Sequence, residues 1–191
     1  MRNFVLLLIV IIAVSCGNDP VPKPRAFLRL EYPKQQYIEV NTKLPFTFEK
    51  NNFATNIGAV KVSQDKKSYG LEINYPNLKG TIYLSYKAIQ KHTLDSYLKD
   101  AQNITQKHAQ KADEIIETPY ENLSRRVFGM FYEVGGNAAS QSQFYVTDSL
   151  SHFVTGSLYF YTKPNYDSIL PAADYLKRDI QHIMETLEWK E

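Results

Sequence analysis

Residues 69–89, YGLEINYPNLKGTIYLSYKAI, constrain the fold more than any other stretch of the chain. Apolar and polar side chains alternate through YGLEINY (69–75) and again through GTIYLSYKAI (80–89). A period of two marks a half-buried strand, because successive side chains point to opposite faces of a sheet. Asn77 and Gly80 supply turn residues between the two segments, which together predict an antiparallel hairpin. Tyrosine and isoleucine at these positions suit a pleated surface.

The same pattern recurs on both sides. FLRLEY (27–32, ended by Pro33), QYIEV (36–40), PFTFE (45–49) and NIGAVKVSQ (56–64) precede the hairpin. EIIETPY (114–120), RRVFGMFYEV (125–134), SQFYVTD (142–148) and HFVTGSLYFYT (152–162) follow it. These are strand candidates by the same criterion. Between the two groups, Leu94, Tyr97, Leu98, Ala101, Ile104 and His108 recur at helical spacing from an N-cap at Thr93 to about Ala112. A second helix begins near residues 168–171, where Pro171 suits a first turn. It carries Leu170, Ala173, Leu176, Ile180, Ile183, Met184 and Leu187 on one face as far as Trp189, and Asn165 and Asp167 read as its caps.

Strands, a helix, strands and a helix predict an α+β fold, a mostly antiparallel sheet with two main helices packed on one face. With 191 residues and 43% hydrophobic content the chain is one ordinary domain, not a disordered one. The domain is expected over residues 26–191.

The chain has one cysteine, Cys16, at the end of an apolar run. Arg2 precedes the run FVLLLIVIIAV (4–14), which is too short for the roughly 20 residues that span a bilayer but suits a signal-peptide core. Ala13-Val14-Ser15-Cys16 resembles the bacterial lipobox, with Ala13 where leucine is commoner. On this reading residues 1–15 are a lipoprotein signal peptide and Cys16 is the lipidated residue. A single acyl chain holds weakly and two or three hold stably. Residues 16–25 then form the lipidated cysteine and a Pro-rich tether, which an extended backbone carries about 25 Å from the bilayer. Gly17, in place of an aspartate, favours the outer membrane. No acidic export cluster follows, so the domain is expected to face the periplasm.

Searching for chemistry excludes more than it finds. There is no phosphate-binding loop, dinucleotide fingerprint, HExxH or nucleophile elbow. His92, His108, His152 and His182 lie apart from one another and from Cys16, so no metal site or cofactor is read. The net charge of +2 is dispersed, with no basic block and hence no reason to expect nucleic acid. GGNAASQSQFYVTDS (135–149) stands out, with a Gly pair that allows tight turning and small residues after it. It is either a plain hairpin connection or a loop whose Asn137, Ser140, Gln143 and Asp148 contact a partner.

KPRAFLRLEYP (23–33), NYPNLKGTIYLSYK (74–87), GGNAASQSQFYVTDS (135–149), TGSLYFYTKPNYDS (155–168) and YLKRDIQHIMETLEW (175–189) together resemble the gliding-motility lipoprotein GldD family of Bacteroidetes. The likeness covers essentially the whole region after Cys16. It implies a membrane-anchored lipoprotein required for gliding, an accessory or structural component whose partners are envelope proteins of the gliding and type IX secretion machinery. It implies no catalytic residues, and the chain is not expected to be an enzyme. The strand pattern and the closing helix also resemble PsbP and Mog1-like folds, an analogy that carries no function. A periplasmic module binding a small molecule, lipid or glycan is the alternative, which a concave pocket lined by tyrosine and phenylalanine would favour.

Overall fold

A computed structural model of the chain describes residues 30–40, 44–57, 61–62, 67–108, 111–162 and 165–190. The signal peptide, Cys16 and the tether expected at residues 1–25 lie outside the described residues. The expected hairpin is the centre of the molecule: β5 (Ser68–Tyr75) and β6 (Gly80–Ala88), joined by a short 3-10 turn at Pro76–Leu78. Before it come β1 (Tyr37–Val40), β2 (Phe46–Asn51), β3 (Asn56–Ile57) and β4 (Lys61–Val62). After it come α1 (Leu94–His108), β7 (Ala112–Asn122), β8 (Val127–Gly136), β9 (Ser142–Thr147), β10 (His152–Phe160), α2 (Tyr166–Thr186) and β11 (Glu188–Trp189).

Among the described residues, an eight-stranded sheet runs in the order β3-β5-β6-β10-β9-β8-β7, with β4 also paired to β5. A three-stranded sheet runs β1-β2-β11. Every pairing is antiparallel. The molecule is therefore α+β, as the segment order predicts.

The two helices lie on opposite faces of the large sheet, not on one face as expected. Residues directly opposite in a ladder share a face, and neighbours along a strand do not. On one face Val154 and Leu158 of β10, Ile82 and Leu84 of β6, and Phe144 of β9 pack with Leu176, Ile180 and Ile183 of α2. On the other, the Tyr97 ring of α1 lies 5.6 Å from Phe153, and Thr105 of α1 reaches Gln143 at 3.4 Å. The reason is that β9 is buried on both sides, so each face of the sheet needs a cover. The covers are unequal. Helix α2 buries eight side chains, whereas among the described side chains of α1 only Ala101 and Thr105 are buried. Burying Leu176, Ile180 and Ile183 contributes roughly 1.5–3 kcal/mol each.

The small sheet completes the α2 side. Phe46 of β2 stacks near Tyr86 of β6 at 5.9 Å and meets Trp189 edge-on at 6.4 Å. Trp189 is thus a strand residue and not the end of the helix: α2 stops at Thr186, and Glu188 and Trp189 pair with Thr47 and Phe46. The strand expected at 27–32 does not form over Leu30–Tyr32, which join no ladder, and residues 27–29 lie outside the described residues. Pro171 sits inside α2, whose first residue is Tyr166, so the helix starts earlier than the proline suggested.

Candidate functional site

Asp179 is fully buried on the apolar stripe of α2. Three donors converge on it from the amino-terminal part of the chain. Gln35 Nε2 donates to its Oδ1 at 2.8 Å, Tyr37 Oη at 3.0 Å, and Asn51 Nδ2 to both oxygens at 3.1 and 2.9 Å. The Tyr75 hydroxyl, also buried, faces the same carboxylate without a hydrogen bond of good geometry. Burial raises the Asp179 carboxyl above the ordinary carboxylate range, and the donors from Asn51, Tyr37 and Gln35, with the nearby Tyr75 hydroxyl, offset this only in part. Burial and the neighbouring carboxylate push the Tyr37 and Tyr75 hydroxyls well above their usual value, so both stay protonated donors.

Around this centre the segment 30–37 is strapped to α2. The Tyr175 hydroxyl donates to the Pro33 carbonyl at 2.9 Å, and Gln35 Nε2 also reaches the Tyr175 carbonyl at 3.1 Å. The Tyr32 and Tyr175 rings lie 5.0 Å apart, and Tyr37 stacks on His182 at 3.5 Å. His182 Nε2 in turn lies 2.7 Å from Glu49 Oε2. Beside the strap opens a cleft of about 440 Å³ lined by Tyr32, Lys34, Gln35, Asp174, Tyr175 and Arg178, among others. Its lining combines two tyrosine rings, two cations and a carboxylate. Among the described residues no group of three or more His, Cys, Asp or Glu side chains is placed to hold a metal ion.

The 135–149 stretch behaves differently from the contact loop expected of it. Ser140, Gln143 and Asp148 are buried. Ser140 Oγ donates to the Ser142 carbonyl at 3.2 Å. Gln143 Oε1 accepts only the long bond from Thr105, and its Nε2 has no partner. Asp148 Oδ1 accepts the backbone N–H groups of Leu150, Ser151 and His152 at 3.0, 2.8 and 2.8 Å. Burial tends to raise the Asp148 carboxyl, but those three N–H groups outweigh it and hold the group below its ordinary value. Gln143 faces inward because β9 lies between β8 and β10 with α1 across it, whereas Ser140 and Asp148, just outside the two ends of β9, turn their polar atoms to nearby backbone groups. Only Asn137 is exposed, and its Oδ1 accepts the Tyr166 N–H at 3.0 Å. It therefore satisfies the first helical amide of α2, a task the sequence assigned to Asn165, whose side chain makes no capping bond. Gly136 turns the chain into this position at φ 87°.

A buried amide nitrogen without an acceptor is a standing penalty, so removing it should help. Gln143→Leu is expected to raise stability by about 1 kcal/mol, read as a higher urea midpoint at unchanged slope. A fall in the midpoint would show that Gln143 is satisfied in solution.

Fold and site together define a layered α+β domain with a polar clasp on its amino-terminal strap and an open cleft alongside. The sequence model of the gliding motility lipoprotein GldD family matches residues 17–189, and the chain belongs to that family. It is thereby a gliding-motility lipoprotein, a class of membrane-anchored cell-envelope proteins. No curated protein matches the chain.

Proposed function

We propose that the protein is an accessory or structural component of the gliding and type IX secretion machinery, held on the periplasmic side of a membrane by lipid on Cys16. The outer membrane is the favoured one, because Gly17 follows the cysteine. The clasp carries this reading. The first described residues after the tether are fastened to the longest helix through Pro33, Gln35 and Tyr37, so load on the anchor passes into the core and not into a loose arm. A domain built this way suits holding position under traction while its surface docks onto neighbouring envelope proteins.

The test compares wild type with Cys16→Ala in the native cells. Wild type should fractionate with membranes and be labelled beside gliding and secretion components. The variant should leave the membrane fraction, and gliding should fall at least tenfold. Full motility from an unanchored, normally abundant variant would remove the anchor from the function.

The cleft supports a second reading, a module that binds a small molecule, lipid or glycan over the Tyr32 and Tyr175 rings. Native mass spectrometry of protein purified from its own cells separates the two. A non-protein mass kept by wild type and lost in Tyr32→Ala supports binding; bare protein in both dismisses it.

A further inference from the structure

We propose that the outer edge of β7 receives an extended, basic segment of a partner polypeptide as an added strand. The large sheet ends at β7, which pairs with β8 on one side and with no described strand on the other. The opposite end of the sheet is closed by the two-residue strands β3 and β4, whereas β7 runs for eleven residues with 113–119 all exposed. Such an edge is a template for pairing unless something blunts it.

What blunts it here is selective. Asp113, Glu114, Glu117 and Glu121 point four carboxylates from this one strand, and none forms an ion pair among the described residues. A second copy laid antiparallel about Glu117 would set Glu117 against Glu117 and Asp113 against Glu121. Like charges directly opposite destabilise a ladder, so self-pairing is disfavoured. A strand with lysine or arginine at alternate positions meets the same carboxylates favourably. Ile115 and Ile116, 42% and 46% exposed on opposite faces of the strand, offer it apolar contact on both sides.

Pro119 fixes which amides are available. It pairs with Met130 inside the ladder, where a proline is tolerated when its missing N–H faces the open side. Residues of the same parity, Ile115 and Glu117, therefore direct their N–H and C=O groups outward. The docked stretch is centred on these two, between the bulge at Ala112/Glu114 and the missing donor at Pro119. This is strand addition, in which backbone bonds supply affinity and alternate side chains supply specificity.

The inference rests on the docking reading only for its meaning in the cell, and its test is made on the purified chain. The probes are two acetylated decapeptides, one alternating lysine with valine and one alternating glutamate with valine, followed by fluorescence anisotropy and amide exchange. The lysine peptide should bind at least tenfold more tightly and slow exchange at Ile115 and Glu117. Glu117→Pro, which removes an outward donor, should weaken it at least tenfold. So should the fold-sparing triple change Glu114→Lys, Glu117→Lys and Glu121→Lys. Equal binding of the two peptides, protection elsewhere, or full binding by the triple variant would overturn the edge site. In cells, a photo-crosslinker at Ile116 and another at exposed Leu150 keep the two ideas apart. Envelope partners caught from Leu150 but not from Ile116 sink the edge and leave docking; partners caught from neither sink docking itself.

Discussion

Asp179→Ala is expected to lower stability by about 3 kcal/mol, because it leaves the buried Asn51 donor and the half-buried Gln35 and Tyr37 donors without their common acceptor. For a chain of this size that is a fall in melting temperature of about 6–12 °C. The same carboxyl gives the protein a distinctive response to pH. Its pKa is raised in the folded state, so the stability it contributes is complete below about pH 4 and is lost as pH rises through the folded value. Asp148 has the opposite sign. Its pKa is depressed, so its contribution is complete above about pH 4 and is lost as pH falls through the folded value. Urea titrations across pH 3–8 separate the two. Asp179→Asn should remove the decline toward neutral pH, and Asp148→Asn should remove the decline toward acid. An unchanged pH profile in Asp179→Asn would mean that the clasp carboxyl titrates normally.

Gly129→Ala should be at least as damaging. A Cβ built there stands 1.9 Å from the Tyr145 carbonyl oxygen and 2.9 Å from Val146 Cγ1 across the β8–β9 ladder. The closer atom is backbone, so no side-chain rotation relieves it and the two strands must separate. We expect a loss of about 3 kcal/mol, at the upper end for an added methyl in a packed interior. A companion change distinguishes the cause. Val146→Ala removes the side-chain contact but not the carbonyl, and should not rescue Gly129→Ala. Rescue would place the strain in the Val146 side chain, leaving the strand spacing sound.

Much of the fold was legible in the sequence because its signals are local. The hairpin at 69–89 appears where the alternation put it, and Ala173, Leu176, Ile180, Ile183, Met184 and Leu187 are buried as the helical stripe predicts. The missed parts depend on partners distant in sequence. Leu30–Tyr32 alternate like a strand, yet they join no ladder, and the residues that follow are held by hydrogen bonds with Tyr175 and Asp179 before β1 begins at Tyr37. Residues 135–149 are polar in composition, yet three of the four expected contact residues are buried: Gln143 on an inner strand of a sheet covered on both faces, and Ser140 and Asp148 beside that strand, bonded to local backbone. Asp179 did leave a trace. It falls three residues after Leu176 and four before Ile183, so a carboxylate stood on an otherwise apolar helix stripe. That trace marks a buried acid, but not its partners.

The pairing of β11 with β2 bears on the order in which the molecule is completed. Trp189 lies against Phe46, and the Lys190 N–H bonds the Pro45 carbonyl at 2.9 Å, so the last described residues close a sheet begun by the first. Contacts so far apart along the chain form late. A chain made from its amino end has β1, β2 and the clasp donors in place long before α2 and β11 arrive. A product cut short before Glu188 lacks both the ring that meets Phe46 edge-on and the third strand of the small sheet, so the completeness of the chain is written into the packing of its first strands.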